Sequence, residues 1–340
     1  MAPKVLYSFE ARRNIKRLIE RTKPDICHCH SIYHHISPSI LGMLSELGVP
    51  VVMTLHDLKI ACPAYHMFNA NGLCEECKGN RLHKVVTNRC MKGSLAVSAV
   101  VYLEAVLHRL LRSYEKHVTK FVVPCRFYID KFVEWGWPRE RFIYIPNPAD
   151  ISALTPDFQP GSRMLYFGRL SPEKGLPTLI RASALAQVPL DIVGDGPQAQ
   201  ELQQLTYQIG APVRFVGHLS GSQLYQSVQQ ARATVLPAEW YENAPMTILE
   251  SFALGKPAIG ADIGGIPEMI GRRDSTARGA LFQSGSVNDL ARVLAEFHSL
   301  SNAKLVAMGQ AGRDFVVNEM SSARYLNNVV DLYDSLTAKT

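Results

Sequence analysis

At 340 residues, with 47% hydrophobic and 19% charged residues, the chain has the length of about two domains and the composition of an ordinary globular protein; a lone small module, a fibrous repeat and a disordered tract are excluded. Its net charge of +6 is lopsided, because residues 1–150 hold 21 Lys and Arg against 13 Asp and Glu while the remainder holds 15 against 17. The basic first half points to an anionic partner such as a phosphate group or an acidic lipid surface.

Seven cysteines, an odd number with none after Cys125, do not form a secreted disulfide framework. No apolar leader opens the chain, and its best apolar run, residues 95–103, is far shorter than the about 20 residues of a membrane span. The expected location is cytoplasmic, soluble or peripheral at the inner membrane face.

In chain order, residues 8–24 read as an amphipathic helix, PDICHCH at 24–30 as a buried strand, 38–48 as a helix stopped by Gly48, and VPVVMTLHD at 49–57 as a strand. A cysteine-bearing loop follows, then one long helix over 94–118, a strand at 120–125, a helix at 128–136 and a strand at 142–148. Residues 149–162 lose periodicity and gain Pro, Gly and Asp, as a linker does. Beyond it strands at 163–170, 190–196, 213–219, 233–239, 256–262 and 279–285 alternate with helices at 177–187, 198–210, 222–231, 245–255 and 266–271. Regular alternation means an α/β fold of doubly wound parallel sheets. The expected domains are 1–152, 153–321, and a final helix in 322–340 that packs back toward the first domain.

In such domains a Gly-rich turn normally follows the first strand. Here the first glycine is Gly42, so the opening βα unit of the first domain is expected to be missing or replaced.

The densest chemistry lies in AEWYENAPMTILESFALGKPAIGADIGGIPE. Glu242 and Glu250 flank a helix start at Pro245, and eight helical residues span about 12 Å. That is too far for an acid/base pair on one bond and suits two acceptors gripping hydroxyls along an elongated ligand; a helix cap plus an exposed glutamate is an equally good reading of either residue alone. The helix start between them, with its free amides, suits a diphosphate. In YFGRLSPEKGLPTLI, Gly168 and Arg169 end a strand and Lys174 precedes a helix, where open α/β sheets bind ligands. Two fixed cations there suit a departing diphosphate without a metal, and a pair of surface cations in a turn is the other reading of each residue alone. Gly264 and Gly265 form a turn that lets backbone amides approach a phosphate or sugar. For His56-Asp57, a cleft histidine and a helix-capping pair are equally good readings.

The order GRLSPEKG, VGDGP, FVGHL, LPAEWYENAPMTILESFALGKPAIG, GGIPE and GALFQSGSVNDLA resembles the donor-binding half of the retaining nucleotide-sugar glycosyltransferases of family 4, which have the two-domain GT-B fold. KPDICHCH and PVVMTLHDLKIACP are similar, more loosely, to that family's acceptor-domain strands. The resemblance implies a nucleotide-diphosphate sugar donor, a saccharide or lipid-linked acceptor, no catalytic metal and retention of configuration by same-face attack, with the leaving phosphate taking the acceptor's proton. It implies that Arg169 and Lys174 hold the diphosphate, Glu250 the ribose and Glu242 the donor sugar, that His56 reaches toward that sugar, and that Gly168, Pro245, Met246, Gly264 and Gly265 line the donor. Polysaccharide assembly at the cell surface is the expected setting, with no nucleic acid partner. A non-catalytic nucleotide-sugar-binding homologue is the alternative, because of the incomplete first domain; a sugar-nucleotide epimerase fits the two glutamates less well.

Cys62, Cys74, Cys77 and Cys90 give C-x11-C-x2-C-x12-C, a spacing open to a structural zinc or to reduced thiols. In CHCH the two histidines share one strand face and the two cysteines the other, which favours a buried strand over a metal site. The basic helix over 95–117 either packs in the core or lies on an anionic membrane surface.

Overall fold

The computed structural model describes residues 2–34, 36–151, 154–271 and 278–338. Contacts divide the chain into Met1–Pro146 with Leu326–Thr340, and Asn147–Tyr325. The 152/153 boundary expected from the sequence falls on residues outside the described ones.

The first unit is a parallel sheet of four strands in the order Cys27–His30, Val51–Thr54, Lys120–Val123 and Phe142–Tyr144. Val51–Thr54 is buried along its whole length, as the β-branched run VVMT requires of a central strand. The Phe9–Thr22 helix starts where Ser8 Oγ accepts the Ala11 N–H and stops where Lys23 turns left-handed. The expected single helix over 94–118 is instead two, Leu95–Leu110 and Ser113–His117. Arg112, at a φ of 51°, breaks it, and His108 Nδ1 meets Ser113 Oγ across the break at 2.9 Å. The loop after Val51–Thr54 is anchored to the Leu95–Leu110 helix by a buried pair, Lys59 Nζ to Glu104 Oε2 at 2.6 Å.

The second unit is a six-stranded parallel sheet in the order Gly279–Phe282, Ala258–Ala261, Ala233–Leu236, Met164–Phe167, Leu190–Val193 and Val213–Gly217. Its first strand, Met164–Phe167, lies in the middle. The chain builds outward on one side through Val213–Gly217, then returns to start the other side at Ala233–Leu236. The direction of winding therefore reverses between Met164–Phe167 and Ala233–Leu236, the place at which open α/β sheets bind ligands. Strand and helix side chains such as Tyr166, Phe252 and Phe282 fill the core on either side of the sheet. The Asn302–Glu319 helix was not singled out by the sequence patterning. Among the described residues no helix is long and apolar enough to cross a membrane.

Candidate active site

The reversal point receives Gly168 to Lys174 from one strand and Pro237 to Glu242 from the other. The two loops are fastened together: the Glu239 N–H donates to Glu173 O at 2.9 Å, and Thr178 Oγ1 donates to Glu239 Oε1 at 2.6 Å. Gly175 sits at a φ of +67°, and a Cβ there would fall 2.0 Å from Pro237 O, so only glycine permits the approach. Consequently Lys174 Nζ lies 2.5 Å from Glu242 Oε1 and 5.2 Å from the Trp240 ring centroid. Glu242 is buried. Arg169, on the same loop as Lys174, is exposed, while its carbonyl accepts from the Tyr166 hydroxyl at 2.7 Å.

Pro245 caps the Met246–Ala253 helix from an extended conformation, and Met246 at its start is exposed. Thr247 Oγ1, in the first turn, is buried without a hydrogen-bond partner. Glu250 is half-buried, and burial raises its pKa above the usual carboxylate range. The Gly264-Gly265 turn packs on the glutamate rather than standing open. A Cβ on Gly264 would lie 2.4 Å from Glu242 O, and the Gly265 N–H donates to that same carbonyl at 2.8 Å. The expectation that both amides face a ligand is thus corrected for Gly265, whose N–H is used to hold the Glu242 backbone.

In the first unit His56 follows the Val51–Thr54 strand and is exposed. Asp57 caps the next turn, its Oδ1 accepting the Lys59 N–H at 2.9 Å. His28 and His30 share a strand face as expected, with ring centroids 4.4 Å apart, and Cys27 and Cys29 share the other, sulfur to sulfur 3.9 Å. The reading of CHCH as simply a buried strand is incomplete, because His30 is exposed and its Nδ1 lies 3.0 Å from His56 Nε2. His28 is held at both nitrogens, by Tyr333 OH at 2.5 Å and Thr54 Oγ1 at 2.7 Å. Burial lowers the pKa of all three imidazoles, that of His28 to about 4.

The cysteine loop holds free thiols. Cys62 and Cys77 are buried. Burial first, and neighbouring loop cysteines second, push Cys77 up to about 12 and Cys90 up to about 11. The four thiols are therefore neighbours, yet among the described residues no three His, Cys, Asp or Glu side chains form a group that could hold a metal ion. The zinc expectation for Cys62, Cys74, Cys77 and Cys90 finds no such group to rest on, and Cys74 and Cys90 are only half-buried.

Two family models meet this chain in succession, Glycosyltransferase Family 4 over residues 1–153 and Glycosyl transferases group 1 over residues 158–315. The first part of the chain is thus similar to family 4 glycosyltransferases and the second to group 1 glycosyltransferases. The group 1 match contains Arg169, Lys174, Glu242 and Glu250, and the family 4 match contains His56. Among curated glycosyltransferases, the sulfoquinovosyl transferase SQD2 of Arabidopsis thaliana is 29% identical over 301 residues, covering 87% of this chain and 54% of that protein. The GDP-mannose-dependent alpha-(1-6)-phosphatidylinositol monomannoside mannosyltransferase of Mycobacterium tuberculosis is 29% identical over 186 residues, 50% of this chain and 47% of that protein. The chain spans about half the length of these relatives. In fold, Anabaena Alr3699/HepE in complex with UDP matches with a TM-score of 0.69 at 17% identity, covering 95% of this chain and 82% of that one. The α/β architecture is GT-B.

Three site residues escaped sequence reading. Trp240 and Thr247 lie inside the motif that carried Glu242 and Glu250, and their offsets from the helix start were the available signal. His30 is legible only from strand register, which pairs it with Thr54, two residues before His56.

Proposed function

We propose that the chain is an enzyme that transfers a sugar from a nucleotide-diphosphate sugar to a saccharide or lipid-linked acceptor with retention of configuration. The Lys174–Glu242 pair at the reversal point of the sheet carries this reading, because it sets a cation for a diphosphate beside a carboxylate for sugar hydroxyls. Arg169 adds a second cation, so that two positive charges meet the negative charge growing on the departing diphosphate. The first amides of the Met246–Ala253 helix and the unpartnered Thr247 hydroxyl add donors for the phosphates. Glu250 takes the ribose hydroxyls and His56 serves the transferred sugar. Glu242 binds rather than attacks; the leaving phosphate oxygen accepts the acceptor's proton as the new glycosidic bond forms on the face the nucleotide leaves. UDP in the HepE complex and GDP-mannose in the name of the mycobacterial relative favour a nucleotide-diphosphate sugar as donor.

On the acceptor side, a cavity of about 350 Å³ in the first unit is lined by Lys59, Glu104, Arg109, Arg112, Trp135 and Arg141, among others. Arg141 Nε and the Tyr114 hydroxyl are buried beside it without partners, which suits an anionic group such as the phosphate of a lipid-linked acceptor. Leu110 and Leu111 are exposed beside Arg109 and Arg112 in the chain, which favours contact with an anionic membrane surface; the setting we propose is cell-surface polysaccharide assembly.

The test is a panel of UDP-, GDP- and ADP-sugars scored for binding, slow hydrolysis and transfer. Glu242→Ala is expected to abolish transfer while the nucleotide still binds. Wild-type turnover in that variant would refute the assignment, and tight binding by the native chain with neither hydrolysis nor transfer would favour a non-catalytic binder.

A further inference from the structure

The histidines of the first unit form a chain whose members play unequal parts. His28 is immobilised at both ring nitrogens by Tyr333 of the Ser322–Thr337 helix and Thr54 of the neighbouring strand. His30 lies against His28, ring centroids 4.4 Å apart at 31°, so one face of its ring is packed on a fixed surface. From there its Nδ1 meets His56 Nε2 at 3.0 Å, the two rings lying 5.3 Å apart at 25°.

A hydrogen bond between two imidazole nitrogens requires one proton between them. While it is made, His56 Nε2 is engaged and its Nδ1 is the ring nitrogen left for a ligand. We infer that His30 is a positioning residue that fixes the ring orientation and tautomer of His56, so that His56 offers the transferred sugar its Nδ1. This rests on the reading above in which His56 serves that sugar. His30 touches no reacting atom in this scheme. Its effect passes through His56, as that of a residue bonded to the far nitrogen of a metal-ligating histidine passes through the ligand.

The experiment uses the full chain and two variants. His30→Phe keeps a ring against His28 but cannot bond His56; His30→Asn places an amide near the former Nδ1 position and can. Long-range nitrogen–proton NMR of the imidazoles reads the His56 tautomer without turnover. The native chain and His30→Asn are expected to show one His56 tautomer, and His30→Phe a mixture. In transfer assays His30→Phe is expected to lower kcat about tenfold, the rate equivalent of one lost hydrogen bond, with UDP affinity unchanged, and His30→Asn to restore most of it. A His56 spectrum unmoved by His30→Phe overturns the inference, as does a mixed tautomer with unchanged kcat. Failure of the native chain to bind any sugar nucleotide would instead remove the functional reading, with the tautomer result still measured.

Discussion

Lys174 and Glu242, 68 residues apart in the chain, meet at 2.5 Å where the strand order of the second sheet reverses. Neither residue type is unusual in a loop, and their significance comes from the place where topology joins them. A charge-assisted hydrogen bond contributes about 1.5–3 kcal/mol, so Lys174→Ala is expected to weaken UDP binding about tenfold to a hundredfold. Glu242→Gln is expected to leave UDP binding within a few-fold and to stop transfer. Calorimetry with UDP, together with a transfer assay on both variants, separates the two signatures; equal effects on binding would contradict the division of roles.

Glu250 is assigned to the ribose, not to the phosphates. Glu250→Ala is therefore expected to weaken UDP about tenfold, the value of a carboxylate hydrogen bond to hydroxyls, and to leave inorganic pyrophosphate binding unchanged. A parallel loss for both ligands would place Glu250 elsewhere.

Gly264 holds a φ of +60° with its missing Cβ position 2.4 Å from Glu242 O, whereas Gly285 holds +74° with nothing within 4 Å. Both alanine variants carry the left-handed backbone cost of about 1–2 kcal/mol. Only Gly264→Ala must also displace the Glu242 loop. Transfer by Gly264→Ala is expected to fall at least tenfold below that of Gly285→Ala, each measured with its urea denaturation midpoint; equal activity in the two would show that the Glu242 backbone tolerates the shift.

His108 is 2% exposed. Its Nε2–H donates to the Leu6 carbonyl and its Nδ1 faces Ser113 Oγ, both at 2.9 Å. Burial lowers its pKa to about 4, the Leu6 carbonyl opposing the shift. Unfolded, the ring protonates near pH 6.5, so between the two values the unfolded chain binds more protons and stability rises with pH. The His108 contribution is complete above about pH 6.5 and is lost as pH falls toward 4, on the order of 3 kcal/mol across the window. The native chain is expected to lose more stability than His108→Gln between pH 7.5 and pH 5 by urea denaturation. The difference between the two removes the opposite contribution of Glu104, whose pKa burial raises. Identical pH slopes would contradict the assignment.

The alternation of strands and helices was legible because parallel strands buried on both faces leave unbroken β-branched runs such as VVMT and ATVL between Gly and Pro stops. The cations and glutamates were legible because they cluster at strand ends and helix starts. The break at Arg112 was not, because a left-handed arginine leaves no compositional trace. The use of Gly265 to hold Glu242 and the His30–His56 bond were likewise hidden, since both depend on which distant backbones lie side by side. The cysteine spacing suggested a metal set, but spacing alone does not fix where thiols point.

The most direct test is a calorimetric titration of UDP into the full chain and into a Lys174→Ala, Arg169→Ala double variant. The expected result is one site per native chain and an affinity lost by about a hundredfold or more in the variant, as two charge-assisted contacts disappear. Equal affinity in the two proteins, or no binding of UDP, GDP or ADP by the native chain, would contradict the claim that these cations hold a nucleotide diphosphate.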